Sequence, residues 1–161
     1  MNIDTLLAES AIVKTITGYM NAVDTGRWDD VSAFFKNDVF VDYSSIPGAP
    51  TAFTASKRDV IARWEERFRK EIAYQHHLSN LEVLVTGDLA TCFGNNRGDH
   101  LLEDTEGRVV LWQIGVRLNW TLQRAVYGAW EIASVTAEYL WDRREQFNGL
   151  KGASVTVPND Q

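Results

Sequence analysis

The sequence predicts an α+β fold: a cone-shaped, curved antiparallel sheet packed against three N-terminal helices. Three observations predict it. Apolar residues recur at three- and four-residue spacing as far as Phe68. After Ile72 the period changes to two and stays so through the remaining patterned chain. The 161 residues, 45% hydrophobic with six Trp, suit a single domain with a substantial core. Residues 1–148 read as that domain. Residues 149–161 carry Gly, Ser, Pro and Asn without periodicity and read as a loose tail.

The first helix starts at Asp4 or Thr5 and runs to about Val23, with Ile12, Ile16, Met20 and Val23 on one stripe. Gly26 stops it. Asp29 opens a short second helix with Val31, Phe34 and Phe35 inward. Val39–Tyr43 alternates like a strand, and Ile46–Pro50 is a loop because two prolines cannot join a ladder interior. Ser56-Lys57-Arg58-Asp59 has the form of a capping box, followed by the stripe Val60, Ile61, Trp64 and Phe68. Strands follow at His76–Thr86, Leu89–Leu101, Val110–Leu122 and Ala129–Trp141, separated by turns at Gly87-Asp88, Asp104–Gly107 and Arg124–Gly128. From Val110 to Leu122 every even position is apolar, so that face is a core or a subunit interface. Strands this long must twist and coil, and helices on the concave side leave a pocket in the cone.

The formal charge of −6 argues against a nucleic-acid partner, which needs a basic face. Arg63–Lys70 is locally basic, but Glu65, Glu66 and Glu71 alternate with it, so it reads as a salt-bridged, solvated face. Cys92 is the one cysteine, which excludes an intrachain disulfide and a cysteine-rich metal site; its apolar strand pattern predicts a buried thiol. The N-terminus lacks a basic region followed by an apolar run, and no stretch is long enough to span a membrane. A cytoplasmic protein is the expectation. His76, His77 and His100 lack metal-ligand spacing, and no glycine-rich phosphate loop precedes a helix. Neither metal nor cofactor is expected.

The order of elements from Leu7 to Phe147 resembles the nuclear transport factor 2-like superfamily, with its cystatin-like roll. Three segments carry the resemblance: Tyr19–Asp29, Gln75–Asn80 followed by Gly87-Asp88-Leu89-Ala90, and Trp130–Ala133. The second of these is similar to the SnoaL-like, polyketide-cyclase-like branch. The catalytic pattern most resembles scytalone dehydratase. That resemblance places Asp24 at the family's helix-borne Asp, Tyr43 on its Ile-Asp-Tyr strand, His76 on its Gln-His strand and His100 near its second histidine. Val23, Gly115 and Arg117 depart from the family's Tyr, Ser and Asn. The substrate is therefore not carried over.

The chemistry implied is cofactor-independent proton transfer. A neutral imidazole is a competent base near neutral pH, and a carboxylate on its other nitrogen fixes the tautomer. His76 would be the base, Asp24 its orienting acid and Tyr43 a donor to a substrate oxygen, with His100 as general acid. A His–Asp pair that only satisfies itself, a core tyrosine and a solvated His100 near its turn are the competing readings. His77, adjacent to His76, must face the other way. Tyr19, Arg117, Gln113 and Glu138 complete the candidate substrate-binding set. Tyr19 resembles the helix tyrosine of ketosteroid isomerases, but Tyr43 occupies the position of their catalytic Asp.

The function expected is a dehydratase, isomerase or cyclase acting on a small hydrophobic or aromatic carbonyl or hydroxyl compound, in a homodimer or homotrimer. Two alternatives stand beside it. One is a non-catalytic ligand-binding or assembly module. The other is an epoxide hydrolase using Arg97, Asp99 and Glu138, a set similar to that of limonene epoxide hydrolases. Arg97 and Asp99 share one face and His100 has the other, so these two mechanisms exclude each other on this strand unless a bulge intervenes.

Overall fold

The computed structural model describes residues 3–146; the expected tail and the domain limit at residue 148 lie outside them. Helix α1 spans Ile3–Asp24, α2 Trp28–Val31, and a 3-10 turn Ser32–Phe34 leads into β1, Phe35–Asp42. The short β2, Phe53–Ser56, precedes α3, Lys57–Phe68. Four long strands follow: β3 Ala73–Thr86, β4 Leu89–Glu103, β5 Val109–Arg124 and β6 Trp130–Gln146. They form one six-stranded sheet in the order β2-β1-β6-β5-β4-β3.

The α+β class and the three helices are as predicted, with two differences in the sheet. It is mixed: β1 runs parallel to β6, while every other pairing is antiparallel. Strand β2 was absent from the sequence reading, because four residues next to a proline loop show no usable alternation. Phe35 is the first inward residue of β1, not a helix residue. Phe35, Val39 and Val41 share its buried side. Strand β6 continues to Gln146 because its last residues pair with the start of β5, by the ladder and by polar side-chain contacts such as Trp112 Nε1 to Asp142 at 2.9 Å; those side chains are exposed and show no apolar signal.

The even face of β5 is interior. Ile114, Val116, Leu118, Trp120 and Leu122 are buried against α1 residues Ile12, Ile16 and Met20 and against Val60 and Trp64 of α3, in one core. The chain's own helices cover this face, so it is not the surface for a second sheet. The outer face is polar, with Arg97, Asp99, Gln113, Arg117 and Glu138 along it. Cys92 is buried, and desolvation pushes its thiol up to about 11.

Two caps set the helices that frame the interior. Helix α1 ends in a Schellman motif: Arg27 N–H bonds to Ala22 O at 2.9 Å and Gly26 N–H to Val23 O at 3.0 Å. Gly26 needs φ +67°, which glycine adopts without a Cβ penalty. Ser56 caps α3, its side-chain oxygen accepting from Asp59 N–H at 3.2 Å. Ser56→Ala is expected to cost about 1 kcal/mol. For a chain of this size that lowers the melting temperature by roughly 2–4 °C. Calorimetry showing no change would mean the cap adds nothing to α3.

Candidate active site

Strand β3 is one edge of the sheet, so alternate backbone N–H groups along it have no ladder partner. Asp24, the last residue of α1, satisfies one of them. Its Oδ2 accepts from His76 N–H at 2.9 Å while its Oδ1 lies 2.6 Å from His76 Nδ1. One carboxylate thus fixes both the backbone and the ring of His76. A carboxylate at a helix C-terminus faces the negative end of the dipole. Its two bonds to His76 offset that placement. Tyr74 reinforces the docking by donating its hydroxyl to Val23 O at 3.0 Å.

The regular register of β3 on β4 sets His76 opposite Gly98 and Tyr74 opposite His100. His76 and His100 therefore lie on the same, interior face, their ring centroids 5.6 Å apart and nearly perpendicular. His100 is 3% exposed, which overturns the solvated reading. Its Nδ1 lies 2.7 Å from Glu71 Oε2, and Glu71 is equally buried. Glu71 is thus not part of the solvated face of α3. The other charges there do pair as expected, Arg69 with Glu65 and Lys70 with Glu66. Arg67 reaches to 3.7 Å from Glu71 and lies over the rings of Phe68 and Trp112.

Tyr43 follows β1 on the inward side. Burial pushes its phenol well above the usual tyrosine range, opposed by the Arg67 charge and by the interaction with the Tyr19 hydroxyl. Tyr19 is also raised, by burial first and then by the nearby Tyr43 and Asp24. Both phenols keep their protons at neutral pH. The two hydroxyls lie within interaction distance of each other.

Asp24, Tyr19, Tyr43, His76 and His100 thus gather on one side of the sheet. Gln113, Arg117 and Glu138 do not join them. Arg117 bonds to Glu138 at 3.0 Å on the outer face, both exposed. Gln113 bonds to Asp99 at 2.8 Å, and Asp99 also pairs with Arg97 at 3.1 Å and with His77 at 3.3 Å. The ladder between β4 and β5 has no bulge, so period-two alternation carries Arg97, Asp99, Gln113 and Arg117 away from the interior, and His77 and Glu138 pair with Arg97 and Arg117 on that side. Aromatic rings stand beside both imidazoles. Phe68 packs edge-on to His76 at 5.6 Å, and Trp112 lies 5.1 Å from His100. A groove of about 380 Å³ opens on the outer face, beside Arg97, Gly115 and Trp141. The His76 and Asp24 side chains keep 11% and 17% exposure, so the pair still reaches solvent.

Sequence reasoning missed three participants. Glu71 and Arg67 looked like surface charges because their neighbours are. Asn96 gave no signal; it is buried two positions along β4 from Gly98, on the His76 side, and its Oδ1 has no partner. A buried acceptor without a donor is uncommon in a folded protein.

Comparison with known proteins fixes the family. The SnoaL-like domain matches residues 4–136, and the chain belongs to that family, within the nuclear transport factor 2-like superfamily. Among curated proteins, the uncharacterized protein Rv2910c of Mycobacterium tuberculosis is 28% identical over 81 residues, 50% of this chain and 52% of that one. The chain spans about half the length of the curated relatives it matches. Among solved structures, a protein from Novosphingobium aromaticivorans, provisionally described as a scytalone dehydratase, superposes with TM-score 0.73 and 19% identity over 89% of this chain and 91% of that one. The hexachlorocyclohexane dehydrochlorinase LinA-type3 of Novosphingobium barchaimii gives 0.72 and 15% over 98% and 100%. At these identities the likeness is one of fold.

The raised tyrosines predict an alkaline transition. A group whose folded pKa lies above its unfolded value holds its proton longer in the folded state. Stability is then intact below pH about 10 and falls as pH rises towards the folded pKa. Thermal melts between pH 9 and 11 should show this decline in the wild type and a shallower one in Tyr43→Phe. Equal slopes would show that burial of Tyr43 has no part in it.

Proposed function

We propose that the protein is a cofactor-independent lyase or isomerase, a dehydratase or cyclase, acting on a small hydrophobic or aromatic compound with a carbonyl or hydroxyl group. The observation that carries this reading is the 2.6 Å contact between Asp24 Oδ1 and His76 Nδ1. In the neutral imidazole that contact keeps the proton on Nδ1 and leaves Nε2 as the base. His76 Nε2 takes a proton from a carbon next to the substrate carbonyl. Asp24 stabilises the imidazolium that forms, and the Tyr43 hydroxyl donates to the oxygen on which charge develops. Asn96 Oδ1 supplies a buried acceptor for a substrate hydroxyl. The names of two fold neighbours, a provisional dehydratase and a dehydrochlorinase, are consistent with proton abstraction followed by loss of a leaving group.

The Phe68 ring packs edge-on against the imidazole, so substrate approaches His76 from the side of the pair that stays exposed. This close packing is also what favours the second reading, a non-catalytic binding or assembly module. A homodimer or homotrimer belongs to the proposal as well. Leu140 and Trp141 are exposed on the outer side of the sheet, where a second copy would cover them.

His76→Ala should reduce turnover of a cyclic β-hydroxyketone by at least about a hundredfold, the lower range of a general base. Its melting temperature should stay close to that of the wild type, because Asp24 still bonds the backbone at position 76. Retained turnover with a large loss of stability would instead make the pair structural and favour the non-catalytic reading.

A further inference from the structure

The end of the sheet that holds His76 and His100 also carries two guanidinium groups over one ring. Arg67, in the last turn of α3, lies 5.5 Å from the Trp112 ring centroid, and Arg144, the β6 residue paired with Trp112, lies 5.4 Å from it. Three carboxylates stand at the same end, and each is engaged. Asp24 holds His76, Glu71 holds His100, and Asp142 accepts from Trp112 Nε1–H at 2.9 Å and from the Tyr139 hydroxyl. The guanidinium groups are not engaged in this way. Among the described residues neither donates a hydrogen bond; the one ion pair of Arg67 is to Glu71 at 3.7 Å, and Arg144 has none. Arg67 is the nearer to the site. The Phe68 ring lies 5.8 Å from its guanidinium and 5.6 Å from the His76 ring, and its charge reaches Tyr43. Two aromatic faces, Phe68 and Trp112, hold the fork in place, while the side chain stays half-exposed and open to a ligand.

We propose that Arg67 binds a carboxylate on the substrate, so that the carbonyl or hydroxyl compound turned over is an organic acid. As a substrate contact this rests on the reading of His76 as base. A guanidinium presents two parallel N–H donors that match the two oxygens of a carboxylate, and such charge-assisted, bidentate bonds are stronger than neutral ones. The bound acid supplies the acceptor that the fork lacks within the chain. Asp24, Glu71 and Asp142 disfavour a dianion such as phosphate by like-charge repulsion, which leaves a monoanion as the fitting class. With the carboxylate on Arg67, the Phe68 ring sets the spacing to His76, so the reacting carbon lies about one ring width from the acid group. Arg67 takes no part in proton transfer. It fixes where the substrate lies, and its contribution belongs to binding.

The test compares a β-hydroxyketone ring bearing a carboxylate, 3-hydroxy-5-oxocyclohexane-1-carboxylate, with its uncharged carboxamide in the wild type, Arg67→Gln and Arg67→Lys. The readout is the acid-to-amide ratio of kcat/KM within each variant, in which a general loss of activity or of folded protein cancels. The wild type should prefer the acid at least about tenfold, and the preference should lie in KM rather than kcat. Arg67→Gln should bring the two substrates to within about twofold of each other, and Arg67→Lys, which keeps the charge and loses the fork, should retain part of the preference. Calorimetric titration of His76→Ala with both compounds, with and without Arg67→Gln, reads the same preference without turnover. Equal use of acid and amide by the wild type, or a preference that survives Arg67→Gln, would overturn the anion site while leaving His76 as base. Turnover of neither compound by the wild type would remove the lyase reading, and the titration would then decide alone. A preference for the acid that Arg67→Gln abolishes keeps Arg67 as an anion-binding residue, and equal affinities end that proposal too.

Discussion

The clasp of Asp24 on His76 is the interaction on which the interior depends. An edge strand presents unpaired backbone donors, and a helix C-terminus repels a carboxylate. Each element alone carries a defect. Brought together, the carboxylate receives a backbone N–H and an imidazole, and the edge of β3 gains a fixed distance to α1. The Schellman turn at Gly26 sets the direction in which the chain leaves, and Tyr74 ties the same helix end to the same strand. The stability of that junction and the orientation of the imidazole are one arrangement.

The interior is unusual in holding two imidazole–carboxylate pairs within an aromatic wall. Phe68, Tyr74 and Trp112 surround His76 and His100, and two tyrosines lie behind Asp24. Low local polarity strengthens each hydrogen bond and raises the cost of leaving any of these groups unpaired. Arg67 comes from the end of α3 and Glu71 from the turn just after it, His100 from β4, His76 from β3 and Asp24 from α1. The groups are thus held by four separate elements that meet only in the folded chain. The polar set on the outer face, Arg97, Asp99, Gln113, Arg117 and Glu138, is instead a cross-strand network of ordinary surface pairs.

Much of this was legible in the chain itself. The change of period after Ile72, the Gly26 stop, the Ser56 cap and the even-position stripe of β5 each follow from local rules, because helix and strand periods are properties of short segments. Their sum predicts three helices and a long-stranded sheet, and the structure has them. The family also followed from short segments, since Tyr19–Asp29 and Gln75–Asn80 keep their order and spacing. That His76 and His77 point to opposite faces needed only the alternation of a strand.

What required tertiary structure was everything set by contact between distant segments. Strand β1 could be seen, but not that it would lie parallel to β6, which pairs with it across almost the whole chain. Glu71 has the local pattern of a surface charge and is buried only because β4 brings His100 beneath it. Gln113 and Arg117 look like site residues until the unbroken register of β4 on β5 turns them outward, and Glu138 follows as the β6 residue paired with Arg117. The aromatic rings beside His76 and His100 depend on side chains from distant segments meeting in space. No periodicity encodes that, since period reports which way a side chain points and not what it meets there.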